Sequence, residues 1–229
     1  RAADRPSLAA GLPVDLTGRA GAKPMAEPGA LEPVPATSSF VPRIYELRGK
    51  ARREEALRLG GGSRETEVAV ERGLRWLALH QSADGRWDLQ DYAKHLKSPS
   101  ARDLHHPDWS GRGRHDSRGG SSRGSNGDTA ATGLALLAFL AHGDTHLEDG
   151  PYKETVKRGL GFLLSQIKSS GDLRGGGNLY MHGIASFALC EAYAVTRGPE
   201  LEKPCRRAIG YTLKVQSPQL GGWRYDPYP

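Results

Sequence analysis

Three stretches of this chain repeat one pattern, and that repetition limits the folds open to it more than any other feature. VERGLRWLALHQSADGRW (Val70 to Trp87) aligns without gaps on VKRGLGFLLSQIKSSGDL (Val156 to Leu173), and CRRAIGYTLKVQSPQLGGW (Cys205 to Trp223) follows with one inserted residue. Each copy sets a basic residue before a small one, at Arg72-Gly73, Arg158-Gly159 and Arg207-Ala208. An aromatic stands three residues further on, Trp76, Phe162 and Tyr211. Val156, Leu160, Leu163 and Ile167 fall at i, i+4, i+7 and i+11, one stripe of a helix. The other copies keep this phase. A unit that recurs in this way buries its apolar stripe by stacking on its neighbours.

Between the copies lie segments of another kind. TAATGLALLAFLAH (Thr129 to His142) is apolar almost all round, and Asp128 before it reads as an N-cap. YMHGIASFALCEAYAVT (Tyr180 to Thr196) is similar, with small residues that allow close helix packing. A helix apolar on every side is enclosed by others. The order is therefore amphipathic helix, turn, buried helix, which predicts an outer layer of amphipathic helices around an inner layer of buried ones.

The flanking composition differs. Residues 1–42 hold seven of the fifteen prolines and few large apolar residues, which predicts a disordered linker. Residues 43–62 read as a short charged helix ending in a Gly60-Gly61-Gly62 hinge. Ser63 or Thr66 then caps the first repeat helix, with Glu65 and Glu67 placed for its dipole. The repeat domain spans 63–229, with a polar, flexible insertion at 88–127. The 37% apolar content and mean hydropathy of −0.56 agree with a chain of which much is not core.

The net charge of +6 does not indicate a nucleic-acid partner, because the densest basic group (Arg112, Arg114, Arg118, Arg123) sits in a Gly/Ser run that reads as a solvated loop. Two cysteines, Cys190 and Cys205, are too few for a disulfide framework or a Cys-rich zinc site. Buried free thiols are the favoured reading, with a bridge open if their helices are neighbours. No apolar run has the length a membrane span needs.

Two of the turns read Gln81-x3-Gly85-x-Trp87 and Gln216-x4-Gly221-x-Trp223. With the upstream basic, small and aromatic positions, they resemble the QW repeat of squalene-hopene and oxidosqualene cyclases, over about residues 65–229. The wording is closest to bacterial, planctomycete-like prenyltransferase and squalene oxidase repeat proteins. The resemblance implies an α/α toroid, here a partial barrel of about five or six helices. It also implies that Gln and Trp tie the end of an outer helix to the next helix. The middle copy carries Ile167 and Leu173 at the Gln and Trp places.

The resemblance argues less for the reaction. Cyclases of the hopene type carry D-x-D-D-T-A at an inner-helix start, and here Ser125-Asn126-Gly127-Asp128-Thr129-Ala130 leaves Gly127 at the proton donor's place. The Asp-x-Cys pair of zinc-dependent prenyltransferases is missing, and His182 and Cys190 stand about two turns apart, too far for one tetrahedral ion. No metal and no cofactor is expected. His105, His106, Asp108, His115 and Asp116 are ligand types in the insertion, read there as a solvated loop. The weak catalytic candidates are Asp128, His182 and Glu191. The last two could form a polar pair in a central cavity, against a reading of His182 as a satisfied core histidine. His142 and His146 read as C-terminal caps, and Lys214 and Arg224 as surface charges.

Three functions stay open: a non-catalytic binding or structural module with an apolar inner surface, an isoprenoid enzyme with its acid motif elsewhere, and an enzyme acting on carbohydrate or peptide. The first predicts an apolar or isoprenoid ligand, self-association through wet inner faces, and a membrane tether ahead of the proline-rich segment, as in a bacterial cell-envelope protein. The second predicts an acidic cluster in further repeats.

Overall fold

Helix α1 is Arg53–Gly60, followed by α2 (Arg64–Leu79), α3 (Asp128–His142), α4 (Lys153–Gln166), α5 (Leu179–Thr196) and α6 (Pro199–Lys214). The structure, a computed structural model, describes residues 53–89 and 127–227, all within one unit, Val41–Pro229. Among the described residues there are helices and no strand, so the chain is all-α there. The expected linker at 1–42, residues 43–52 of the charged helix and 90–126 of the insertion lie outside the described residues. Asp88 and Gly127, assigned to the insertion from sequence, are buried against the helical body.

Local chemistry sets the helix starts. Ser63 and Thr66 cap α2 together: Ser63 N–H donates to Thr66 Oγ1 at 2.9 Å, and Thr66 N–H donates to Ser63 Oγ at 3.4 Å. The Asn178 side chain accepts from Tyr180 N–H and starts α5. Asp128, expected to cap α3, does not do so. The cap position is Gly127, without a side-chain bond, and Asp128 is already inside the first turn.

Close contacts give the packing directions. Gly127 lies by Met181, and Gly133 by Ile184 and Ala185, so α3 and α5 run parallel. Phe139 meets Tyr152 and Leu136 meets Gly159, so α4 runs antiparallel to α3. Cys205 meets Leu189 and Thr212 meets His182, so α6 is antiparallel to α5. The amphipathic helices α2, α4 and α6 thus cover the apolar pair α3 and α5, as the alternation of helix types predicts. Leu136, Phe139 and Leu140 of α3, Val156 and Leu163 of α4 and Leu189 of α5 have no exposed area. Each contributes about 1.5–3 kcal/mol by burial.

The turns that end α2 and α4 share one backbone, and the turn after α6 repeats it with one inserted residue. Ser82 N–H donates to Arg86 O, Lys168 N–H to Asp172 O, and Ser217 N–H to Gly222 O, at 2.9, 3.0 and 2.9 Å. The turn glycines are Gly85, Gly171 and Gly221, with φ of 95°, 90° and 65°. Gly85 is pressed on α4, where a Cβ would stand 2.2 Å from Arg158 O. Gly171 is pressed on α6 in the same way, with 2.0 Å to Arg207 O. Arg158 and Arg207 are the same position of the repeat, so the first and second turns are each seated on the basic residue of the following copy. Gly221 meets nothing.

Side chains reinforce the first seat. Gln81 Nε2 donates to Gly85 O and to Thr155 O, each at 2.9 Å, and its Oε1 accepts from Arg158 at 2.6 Å. Trp87 Nε1 donates to Leu77 O at 2.9 Å, and its ring lies over Gly159. The third turn keeps the internal half of this set: Gln216 Nε2 donates to Gly221 O at 2.6 Å and Trp223 Nε1 to Thr212 O at 2.8 Å.

Candidate functional site

The inner helices begin beside the repeat turns, and polar side chains gather there. Trp87 N–H donates to Thr132 Oγ1 at 3.1 Å. One repeat later, Leu173 N–H donates to His182 Nδ1 at 3.1 Å. Thr132 and His182 each precede the glycine of their helix, Gly133 and Gly183, so a hydroxyl and an imidazole perform the same task. With Nδ1 accepting, the ring proton of His182 sits on Nε2, which donates to Thr212 Oγ1 at 2.9 Å. That hydroxyl donates in turn to Ala208 O at 3.0 Å. His182 is therefore a satisfied core histidine that pins a turn. Its ring nitrogens are engaged by Leu173 and Thr212, and it does not pair with Glu191, which is buried further along α5.

Burial pushes the His182 pKa below the ordinary value of 6.5, with Asp172 pulling the other way. The fold requires the neutral ring. Its contribution to stability is present above the unfolded-state pKa and is lost as pH falls through the depressed folded value. Unfolding free energies at about pH 7.5 and about pH 5.5 are expected to differ more for the native protein than for His182→Gln, which keeps an acceptor and a donor. Equal pH dependence would show that His182 is not the buried neutral group described.

Two carboxylates lie beneath the inner-helix starts. Asp128 accepts from Leu89 N–H at 3.3 Å and stands 3.5 Å from Arg86 Nε, and Arg86 also pairs with Asp88 at 3.3 Å. Burial pushes the Asp128 carboxyl above its ordinary value, and Asp88 adds to this against the Leu89 hydrogen bond and Arg86. Asp172 has a different environment. Burial pushes it up, but Arg174 clamps both of its oxygens at 3.0 Å and Lys168 adds a contact at 3.1 Å, which together hold it down at about 2. Arg86, Thr132, Asp172, Arg174 and Thr212 were not singled out from sequence. The usable signal was the alignment itself, which sets Arg86-Trp87-Asp88 on Asp172-Leu173-Arg174.

The remaining candidates serve structure. His142 Nδ1 lies 2.6 Å from Asp144 in the last turn of α3, where Gly143 is the C-cap. His146, expected to cap the same end, instead ties its loop to Glu200 of α6 at 2.6 Å. Cys190 and Cys205 are neighbouring free thiols on α5 and α6. Contact with Cys190, together with burial, pushes the Cys205 thiol up, so it stays protonated. Lys214 and Arg224 are exposed. His105, His106, Asp108, His115 and Asp116 lie outside the described residues. Among the described residues no three His, Cys, Asp or Glu side chains group as metal ligands, and no helix is long and apolar enough to cross a membrane.

What remains is apolar and accessible. Leu134 of α3 and Tyr180 and Phe187 of α5 are 57%, 62% and 59% exposed. A cleft of about 320 Å³ runs beside Leu134, between Trp76, Trp87, Leu89 and Ala131, with His80 and Asp88 on its wall. A second, of about 520 Å³, lies beside Tyr180, between Leu179, Trp223, Arg224 and Tyr225. Both are open clefts on the surface with mostly apolar walls.

Compared with family models, curated proteins and solved structures, the chain matches none. The functional reading therefore rests on the chain's own residues. Of the weak catalytic candidates, Asp128 and His182 are both built into the turns that follow the repeats, and Glu191 stands apart from them.

Proposed function

We propose that this chain is a squalene-cyclase/prenyltransferase-like repeat domain of α/α-toroid type, acting as a non-catalytic binding or structural module for an apolar partner. The observation that carries the reading is the exposure of Leu134, Tyr180 and Phe187 on helices that also bury Leu136, Phe139, Leu140, Leu179, Ala185 and Leu189. Exposed large apolar groups flanking clefts mark interaction sites. The nearby polar groups support binding over chemistry, because His182, Asp172 and Asp128 each hold backbone of a turn.

The probe is the fluorescent apolar dye ANS, titrated against the native chain and against Leu134→Asp/Phe187→Asp. Binding at least about tenfold weaker in the variant is expected, from the apolar area lost. Equal binding would contradict the assignment of this face.

One observation favours a second reading, an isoprenoid cyclase or prenyltransferase-type enzyme. Asp128 is a buried carboxyl of raised pKa at an inner-helix start. Turnover of squalene or a prenyl diphosphate by the native chain, abolished in Asp128→Asn, would establish that reading and remove the first.

A further inference from the structure

The chain's two cysteines come from different helices and meet at one junction. Cys190 is half-buried on α5, and Cys205 is buried on α6. The register of this antiparallel pair sets them face to face. His182 of α5 bonds Thr212 of α6. About two turns on along α5, and as far back along α6, the Cys205 thiol donates to Leu189 O at 3.4 Å. That oxygen and the Cys190 Cα share one peptide plane and stand about 3 Å apart. The Cys190 side chain spans the remaining gap, and the two thiols touch. Neither thiol has a part in the turns or in the apolar clefts.

We propose that Cys190 and Cys205 form a reversible redox clamp, in which hydrogen peroxide bridges the two sulfurs and fastens α6 to α5. The contact divides the roles between them. Cys190 is the more accessible thiol, and the Cys205 S–H beside it favours its thiolate, holding it below the ordinary value. Cys205 stays protonated, as its burial against Cys190 requires. The Cys190 thiolate attacks the peroxide: an S–O bond forms, the O–O bond breaks, and hydroxide leaves. The proton that Cys190 had lost neutralises that hydroxide. The Cys205 sulfur then attacks the Cys190 sulfur: the S–S bond forms, the S–O bond breaks, and the Cys205 proton departs with the hydroxyl as water. The dithiol gives up two hydrogens and two electrons, and the peroxide becomes two waters. A second thiol already in contact closes the bridge before Cys190 is oxidised further. The bridge ties the end of α5 to the start of α6 and restricts the unfolded chain between them.

The test exposes the full chain to a small excess of hydrogen peroxide and reads intact mass, peptides from non-reducing proteolysis, and thermal unfolding. The native chain is expected to lose two hydrogens and to yield one peptide pair joining Cys190 to Cys205. Its Tm is expected to rise by about 5–10 °C, and dithiothreitol to reverse every change. Cys205→Ser is expected to stop at a Cys190 sulfenic acid, trapped by dimedone, and Cys190→Ser to keep Cys205 as a thiol. Far-UV circular dichroism checks that the variants are folded, and the readings on the native chain need no variant. Two unreacted thiols, oxygen added in place of a bridge, a bridge only between chains, or a bridge that leaves Tm unchanged would overturn the proposal. So would oxidation of Cys205 in Cys190→Ser as fast as bridging in the native chain.

Discussion

Gly171→Ala is expected to destabilise the chain by about 3–5 kcal/mol, and Gly221→Ala by only about 1 kcal/mol. The two glycines hold the same place in the repeat and both have positive φ, so the backbone strain of an alanine is common to them. They differ in what a methyl group would meet. At Gly171 it would stand 2.0 Å from the Arg207 carbonyl, a backbone atom in the middle of α6, and relief requires moving a helix. At Gly221 it would meet nothing. Urea denaturation of the two variants gives the difference directly, and equal losses would mean that the second turn is not seated on α6.

The repeat was legible because a helix keeps its apolar phase and a tight turn keeps its glycine, whatever else drifts. The distinction between amphipathic and all-round apolar helices gave the two layers for the same reason. The middle turn looked degenerate, since Ile167 and Leu173 replace Gln and Trp. Its backbone nevertheless matches that of the first, because Gly171 keeps its contact with the next helix and His182 holds the Leu173 N–H. That role of His182 could not be read from residue type. Its counterpart is Thr132, and only the bond each makes reveals the equivalence. Asp128 misled for a related reason. An aspartate at a helix start usually caps, but here the chain leaving Trp87 returns close enough for its carboxylate to take the Leu89 N–H. The seats were also hidden, because Arg158-Gly159 and Arg207-Ala208 read as ordinary helix surface until a turn is found on them.

The first and third turns carry the same Gln, Gly and Trp, the third with one inserted residue, and among the described residues only the first of these two rests on a following helix. Trp87 and Trp223 isolate that difference. Each indole donates to a carbonyl at the end of its own helix, Leu77 O at 2.9 Å and Thr212 O at 2.8 Å, so the internal bond is common to both. Trp87 also packs on Gly159 and Phe139, with its ring centroid 6.1 Å from that of Phe139. Trp87→Ala would leave a cavity at that junction, and the expected loss is about 3–5 kcal/mol. Trp223→Ala is expected to cost about 1 kcal/mol. Paired unfolding curves for these two variants are the most direct measurement. A loss at Trp87 at least twice that at Trp223 agrees with the seated-turn architecture, and equal losses would contradict it.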